Sequence, residues 1–249
     1  MNTDYRLLAL DMDGTLLNDE QIITPETVAW ITRAVEKGVH VCLSTGRSFQ
    51  NAYPYAEQLG LKTPMVTVNG SEVWRAPHEI YRRSLMDPAL VEQMHALAVR
   101  HGIWFWAYST ERVHNRENWV NDIREKEWLK FGYYTEDDGI RHQVLLALED
   151  IGGLEITNSS PYNLEINPLG INKAAGIREV CGLLGIGMSQ VIAVGDSLND
   201  LAVIQQAGLG VAMGNAQETV KQEADAVVAG NNEDGIAEVV RRFIFGNGE

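Results

Sequence analysis

The chain has 249 residues, of which 34 are acidic and 20 are basic, so its formal net charge at pH 7 is −14. Hydrophobic residues make up 45% and charged residues 22%, which is typical of soluble globular proteins and excludes global disorder. The acidic balance argues against a general binder of nucleic acid or anionic membrane, because phosphate backbones select basic faces, but it permits one local phosphate site. The length predicts one large domain or two modest ones.

The sequence offers no strong targeting signal. Only four consecutive apolar residues precede Asp11, far short of the apolar core of a secretory signal peptide, and no stretch approaches the length of a membrane span. The two cysteines, Cys42 and Cys181, do not make a disulfide framework, and we expect two buried reduced thiols. The sequence therefore predicts a cytoplasmic protein without a membrane or nucleic-acid partner.

The first third of the chain alternates short apolar runs with longer amphipathic stretches, the pattern of β-α-β units around a parallel sheet. Strands are predicted at residues 7–10, 39–43 and 65–68, and helices at 25–37 and 48–59. Thr24 as N-cap, Pro25 at the first position and Gly38 just past the end mark the first helix. Between Gly14 and Ile23 we expect a short hairpin.

The pattern changes near Ile80, and five of the six tryptophans fall between Trp74 and Trp128. Up to Asn167, strands are predicted at residues 103–109, 144–148 and 163–166, and helices at 87–101 and 117–131. In the second of these helices, Asp122 and Lys126 are spaced as a surface ion pair.

After Asn167 the β-α-β rhythm returns. Helices are predicted at residues 172–184, from 198, at 216–223 and at 233–245, and strands at 191–195, 209–213 and 226–228. The sequence thus predicts an α/β core domain built from both ends of the chain, residues 1–80 and 167–249, with a second domain inserted at residues 81–166.

Three polar clusters follow predicted strands, where ligands bind in open α/β sheets: residues 11–15, 44–47 and 195–200. Each has an ordinary structural explanation when taken alone. Asp13-Gly14 is typical of a hairpin turn, Ser44 and Thr45 of a helix cap, and residues 196–200 of a loop and N-cap. Lys173, at the start of a predicted helix, is by itself typical of a solvated surface lysine.

Together the clusters form a coherent phosphoryl-transfer site. Asp11 and Asp196 supply oxygen ligands for a divalent cation, with Mg²⁺ the natural choice. The cation and Lys173 would neutralise a phosphate, while Thr45 and nearby backbone N–H groups would hold its oxygens. One aspartate can attack phosphorus to give an acyl phosphate, and a second must carry a proton to the leaving alkoxide.

These residues resemble the four ordered motifs of the haloacid dehalogenase superfamily. The matching segments are Asp11-Met12-Asp13-Gly14-Thr15, Thr45-Gly46-Arg47, Lys173 and Gly195-Asp196-Ser197-Leu198-Asn199-Asp200. Two further features are similar to the Cof-type phosphatase branch of this superfamily. They are the insertion between the second and third motifs, and the short segments at residues 68–70 and 230–235. The resemblance implies a Rossmann-like parallel-sheet core with an inserted α/β cap that sets substrate specificity, and a Mg²⁺-dependent phosphatase that works through an aspartyl phosphate.

The resemblance also implies a role for each motif residue. Asp11 would be the nucleophile, and Asp13 the general acid and base whose backbone carbonyl also touches the metal. The implied phosphate-binding residues are Met12, Thr45, Gly46, Lys173 and Asn199. The metal ligands would be Asp11, Asp13 and Asp196, with Asp200 in support.

The favoured function is hydrolysis of small phosphomonoesters, such as sugar phosphates, phosphorylated cofactors or riboflavin precursors. A phosphomutase with the same intermediate is the alternative, and release of inorganic phosphate separates the two. A non-catalytic sensor of phosphorylated metabolites is a distant alternative, because both Asp11 and Asp13 are present.

The inserted region gives weaker signals. Trp104, Trp106 and Tyr108 alternate on one face of a predicted strand and could line a substrate pocket, but packing is favoured because strand aromatics usually pack. Four arginines could meet a second anionic group, although solvated charge is expected for each: Arg82, Arg83, Arg112 and Arg116.

Overall fold

The computed structural model describes residues 4–246 of the chain. Its strands are β1 (Leu7–Leu10), β2 (His40–Leu43), β3 (Met65–Thr67), β4 (Glu72–Ala76), β5 (Glu79–Arg83), β6 (Trp104–Ser109), β7 (Val113–Asn115), β8 (Trp128–Tyr134), β9 (Leu154–Thr157), β10 (Asn163–Pro168), β11 (Val191–Gly195), β12 (Leu209–Ala212) and β13 (Ala226–Val227). Its α-helices are α1 (Pro25–Glu36), α2 (Phe49–Gln58), α3 (Pro88–His101), α4 (Asp138–Ile151), α5 (Lys173–Leu184), α6 (Leu201–Gln206), α7 (Glu218–Glu223) and α8 (Gly235–Val239). A π-helical segment, Val240–Phe245, follows α8.

The central sheet has the order β13-β12-β11-β1-β2, and every pair in it is parallel. Strand β1 lies in the middle, between β2 from the same end of the chain and β11 from the other. An isolated parallel bridge between Ser44 and Val66 brings the end of β3 beside the end of β2. The carboxyl ends of these strands therefore converge at one edge, and the predicted parallel-sheet core is confirmed.

The two faces of the central sheet bury different sets of apolar side chains. Leu8 and Leu10 of β1 pack in one cluster with residues of α1 and α8, such as Ile31. Leu7 and Ala9 point to the opposite face and pack with residues of α5. A strand buried on both faces must be apolar at every position, which explains the unbroken run Leu7–Leu10.

A second sheet, with the order β7-β6-β8-β10-β9, is antiparallel throughout. One of its faces is covered by α3 and α4, through buried side chains that include Phe105, Phe131 and Val144. We call this sheet the cap sheet. A small antiparallel sheet, β3-β4-β5, lies between it and the core in sequence.

Two elements predicted inside the insertion are wrong. Residues 144–148, predicted as a strand, lie within α4, which begins after the N-cap Asp137 and buries only Val144 and Leu148, one turn apart. Residues 117–131, predicted as a helix, contain only a 3-10 turn at Ile123–Glu125 and the start of β8. The predicted helical pair of Asp122 and Lys126 is therefore absent, and Lys126 pairs instead with Glu111.

The predicted hairpin between Gly14 and Ile23 is also wrong: the segment is a set of turns with one isolated bridge between Asp13 and Leu17. The side chain of Asn18 stabilises the turn by accepting hydrogen bonds from the backbone N–H groups of Glu20 and Ile22. Both cysteines are buried free thiols, as predicted. Within residues 4–246, the helices are all too short or too polar to cross a bilayer.

Candidate active site

Asp11 stands directly after β1, where it meets Lys173, the first residue of α5. The fully buried Lys173 Nζ donates hydrogen bonds to Asp11 Oδ1 and to Asp200 Oδ1, both at 2.7 Å. Burial lowers the pKa of Lys173, but the charges of Asp11 and Asp200 outweigh it and raise that pKa above its ordinary value. The lysine is therefore a permanently charged group between two carboxylates, and the expectation of a solvated Lys173 taken alone is wrong.

The carboxylates outnumber the lysine. Asp11, Asp196 and Asp200 each offer an oxygen, and these atoms lie within 4.8 Å of one another. Burial, reinforced by neighbouring carboxylates, raises the pKa of Asp11 well above its ordinary value and that of Asp196 to about 6. Three oxygen donors with excess negative charge in a buried site fit a hard divalent cation.

Local hydrogen bonds orient the side-chain carboxylates of Asp196 and Asp200. Thr15 Oγ1 and Ser197 Oγ donate to the carboxylate of Asp196 at 3.1 and 2.8 Å. The backbone N–H groups of Asp196 and Ser197 donate to Asp200 Oδ2, both at 3.2 Å. A Cβ at Gly195 would lie 2.2 Å from Asp200 Cγ, so only glycine leaves room for that carboxylate.

The loop after β2 offers donors for an anion. Thr45 is fully buried, and its hydroxyl accepts the backbone N–H of Arg47 at 3.1 Å. Within residues 4–246, the backbone N–H of Gly46 has no acceptor. Asn199 and Gly46 line one cavity, and the buried Oδ1 of Asn199, which is an acceptor, has no partner among the described residues. Met12, by contrast, buries its side chain in the core, so only its backbone faces the loop.

Asp13 differs from Asp11 in its surroundings. Its side chain is about half exposed. Arg47 donates two hydrogen bonds to it, from Nε to Oδ2 at 2.8 Å and from Nη2 to Oδ1 at 2.5 Å. Hydrogen bonding to Asp13 raises the pKa of Arg47 above its ordinary value. The two aspartates thus face one cavity from different environments: Asp11 is buried beside a lysine, and Asp13 is half exposed to solvent and paired with an arginine.

The cavity, about 260 Å³ in volume, lies between the core motifs and the cap sheet. Trp106 and Tyr108 line it, so the favoured packing interpretation is wrong for both. Trp104 does not line it and is exposed. A Cβ at Gly132, the cross-strand partner of Trp106, would lie 2.4 Å from the indole ring, so this glycine lets the ring lie against β8.

The sequence interpretation missed the polar cap residues that line the cavity: Lys130, Ser159, Asn163 and Glu165. A signal was available at two of them, because Lys130 and Glu165 interrupt apolar strand runs. The arginines singled out instead do not line this cavity. Arg83 forms an ion pair with Glu72 at 2.7 Å, so the expectation of solvated charge is wrong for it.

Comparison with known proteins identifies the family of the chain. The profile of the haloacid dehalogenase-like hydrolases matches residues 8–142 and 110–240, and the chain belongs to that family. The family and its phosphatase relatives make the chain a phosphoric monoester hydrolase.

Two relatives from Bacillus subtilis show the relationship in sequence. The chain is 47% identical over 244 residues to the 5-amino-6-(5-phospho-D-ribitylamino)uracil phosphatase YcsE, covering 98% of both chains. It is 30% identical over 268 residues to YitU, whose name gives the same substrate, and the match covers 98% of this chain and 99% of the relative.

Solved structures show the same fold. A haloacid dehalogenase-like hydrolase from Bacillus subtilis superposes with a TM-score of 0.88 at 23% identity, covering 95% of this chain and 99% of the other. Another, from Bacteroides thetaiotaomicron, gives a TM-score of 0.78 at 28% identity, covering 96% and 99%.

Replacing Lys173 with methionine should lower the free energy of unfolding at neutral pH by about 3–5 kcal/mol, because two buried carboxylates lose their partner. Lys173 is fully buried and pairs with both Asp11 and Asp200, so neither carboxylate keeps this counter-charge in the variant. Asp11, whose pKa is raised, should lessen the loss when it takes up a proton at acid pH. Asp196, with a pKa of about 6, should do the same as the pH falls through that value, because the site then holds one fewer negative charge without a cation. Urea denaturation in metal-free buffer on both sides of that pH measures it, and an equal loss on both sides would contradict the explanation.

Proposed function

We propose that the chain hydrolyses small phosphorylated metabolites with Mg²⁺ as cofactor, through an aspartyl phosphate on Asp11. The observation that carries this proposal is the buried cluster of Asp11, Lys173, Asp196 and Asp200, beside a Gly46 backbone N–H that has no acceptor among residues 4–246. Asp11, the backbone carbonyl of Asp13 and Asp196 would hold Mg²⁺ with Asp200 in support, and the bound cation would neutralise phosphate charge.

In this proposal, the loop after β2 and the start of α5 hold the phosphoryl group. The backbone N–H groups of Met12 and Gly46, the Thr45 hydroxyl and the amide of Asn199 donate to its oxygens, and Lys173 supplies positive charge. Asp11 attacks phosphorus in line with the leaving oxygen, and an acyl phosphate forms on Asp11 as the P–O bond to the substrate breaks.

Asp13 is the proposed general acid and base. It lines the cavity on the solvent side, where it can protonate the leaving oxygen in the first step and deprotonate water in the second. Arg47 holds both oxygens of Asp13, which keeps the carboxyl group in the cavity between the two steps. Water then attacks phosphorus as the P–O bond to Asp11 breaks, which releases inorganic phosphate and restores the carboxylate. Release of inorganic phosphate distinguishes this reaction from that of a phosphomutase.

We also propose that residues 1–80 and 167–249 form the core domain and residues 81–166 the cap domain. Two strands cross these boundaries slightly, because β5 ends at Arg83 and β10 at Pro168. The cap sheet, continuous in sequence and packed on α3 and α4, supports the proposed division.

The substrate that we propose to test first is 5-amino-6-(5-phospho-D-ribitylamino)uracil, because the relative with 47% identity carries that activity in its name. The cavity has features that suit such a leaving group. Trp106 offers an aromatic face to a planar ring, while Asn163 and Ser159 offer polar atoms to hydroxyl and amino groups.

The test is a phosphate-release screen over a panel of phosphomonoesters, with Mg²⁺ and with excess chelator. We expect release in Mg²⁺, with the ribitylaminouracil phosphate among the best substrates, and none in chelator. Full activity in chelator would overturn the metal assignment. Conversion of a substrate to its phosphate isomer without release of inorganic phosphate would establish the mutase instead.

Replacing Trp106 with alanine should raise KM about fivefold for a substrate with a planar ring, since aromatic stacking contributes about 1 kcal/mol beyond area burial. For glycerol phosphate, which has no ring, KM should change little. The matched control is Trp104→Ala, two residues away on the same strand face but outside the cavity, and it should leave both KM values unchanged. Steady-state kinetics on both substrates decides, and an equal effect on the two would contradict stacking.

A further inference from the structure

The cap sheet carries a buried ion pair on the face that meets the core. Lys130 of β8 and Glu165 of β10 are 1% and 5% exposed, and Lys130 Nζ donates to Glu165 Oε1 at 3.1 Å. Burying two charges costs several kcal/mol per ion, and a well-packed apolar pair usually serves stability as well or better. The pair therefore calls for an explanation beyond holding two strands together.

Lys130 also forms a hydrogen bond to a residue outside the cap sheet. Its Nζ donates to the backbone carbonyl of Gly46 at 2.9 Å, in the core loop that follows β2. The ring of Tyr108 lies 4.7 Å from the same ammonium group. A carboxylate, a carbonyl and an aromatic face thus surround the three N–H donors of this lysine.

Glu165 holds the same loop from another side. Its Oε2 accepts a hydrogen bond from Asn69 Nδ2 at 2.7 Å, and the backbone N–H of Asn69 donates to the carbonyl of Thr45 at 3.0 Å. Burial raises the pKa of Glu165, but Lys130 and Asn69 outweigh it and lower that pKa below its ordinary value. The carboxylate therefore stays charged and keeps both partners.

These contacts fix the two peptide planes that flank Gly46. Because a peptide unit is planar, the Asn69 bond to the Thr45 carbonyl orients the N–H of Gly46, which lies in the same plane. The Lys130 bond to the Gly46 carbonyl orients the N–H of Arg47 in the same way. Glycine rotates about its backbone bonds more freely than any other residue, so these contacts supplement the hydrogen bond that the Arg47 N–H donates to Thr45 Oγ1 within the loop.

We propose that Lys130 and Glu165 are positioning residues, which lock the Gly46 peptide planes from the cap side and so complete the phosphate-binding loop only when the cap sheet is seated on it. The proposal rests on the proposed function of that loop. It makes the cap more than a selector of leaving groups, because the cap then also shapes the site for the phosphoryl group that every substrate shares.

The variants separate this role from a purely structural one. Lys130→Met leaves Glu165 buried without a counter-charge, so it should lower both stability and activity. The double variant Lys130→Met/Glu165→Gln removes both charges and keeps an acceptor for Asn69, so its melting temperature should lie well above that of Lys130→Met. Its kcat/KM should nevertheless stay about 10- to 100-fold below wild type, because a hydrogen bond from a charged donor to the Gly46 carbonyl is still missing.

The loss should be the same for p-nitrophenyl phosphate, glycerol phosphate and the ribitylaminouracil phosphate, since all share the phosphoryl group. In the absence of any ligand, hydrogen–deuterium exchange of the peptide covering residues 44–52 should be faster in the double variant. Lys126→Met is the control, because it removes an exposed cap ion pair with Glu111 at 2.8 Å and should change none of these readouts.

Recovery of both melting temperature and kcat/KM in the double variant would overturn the proposal and leave a structural ion pair. A loss confined to one leaving group would show that Lys130 contacts the substrate rather than the loop, and would also overturn it. The exchange measurement needs no activity. If wild-type protein hydrolyses no ester, the proposed function fails, while unchanged exchange in residues 44–52 is what refutes the positioning role.

Discussion

Asp11→Asn should reduce phosphate release by about 10,000-fold or more toward every ester, because an amide is a poor nucleophile and no acyl phosphate forms. The fold should survive the change, since asparagine keeps an oxygen that accepts the hydrogen bond from Lys173. Burial and two neighbouring carboxylates raise the pKa of Asp11, so its charge destabilises the metal-free protein at neutral pH. The variant should therefore be at least as stable as wild type in chelator.

Steady-state phosphate release and thermal denaturation in chelator measure these two effects. Asp150→Asn, on the exposed surface of α4, is a matched control that should change neither. Residual turnover of the asparagine variant within about tenfold of wild type would remove Asp11 from the role of nucleophile.

Asp13→Asn should separate the two chemical steps. An alkyl ester needs a proton on its leaving oxygen, so turnover of glycerol phosphate should fall by about 100- to 10,000-fold. The p-nitrophenolate group leaves without that proton, so the first step should still occur with p-nitrophenyl phosphate. The second step, attack of water, should be slow because no base remains to deprotonate it. The expected result is a burst near one nitrophenolate per active site and then a slow steady rate.

Stopped-flow absorbance measures the burst, and mass spectrometry should find the added phosphoryl group on Asp11. Arg47 loses its charged partner in this variant, so a second variant is informative. Arg47→Gln keeps the carboxylate of Asp13 and should show no burst. Equal slowing of both ester classes without a burst, and without a labelled Asp11, would show that Asp13 is not the acid and base.

The core could be predicted from the sequence because its local signals agree. Thr24, Pro25 and Gly38 mark the ends of α1, and apolar runs at β1, β2 and β11 each end at a polar cluster. Since parallel strands bring their carboxyl ends to one edge, clusters far apart in sequence meet there. The convergence of Asp11, Asp196 and Asp200 follows from this rule.

The insertion could not be predicted as well, because its periodicities conflict with its structure. Residues 144–148 form an unbroken apolar run, which fits a strand and a buried helical segment equally well when the neighbouring residues are ignored. Strand β8 contains Lys130 and Gly132, two residues that are uncommon in strands, and their reasons lie elsewhere in the chain. Lys130 meets Gly46, and Gly132 makes room for Trp106.

The cap residues of the site were missed for a related reason. Which face of an inserted sheet meets the core depends on how that sheet docks, and no local pattern encodes the docking. Trp106 and Phe105 are adjacent aromatic residues, yet one lines the cavity and the other packs under α3 and α4. The hydrogen bonds from Arg47 to Asp13 also form only when two loops are brought together.

The pairing of β1 with β11 has a consequence for how the protein is made. Leu7 faces Val191 across the sheet, so the ribosome must synthesise more than three quarters of the chain before the middle strand gains its second neighbour. At about 5–20 residues per second, roughly ten seconds or longer would pass between synthesis of the pair β1-β2 and synthesis of β11. During that time the other edge of β1, which is apolar, has no strand beside it. The cap sheet, whose strands are contiguous in sequence, can form during that interval. Nascent chains halted before Val191 should therefore be the ones that most need chaperones.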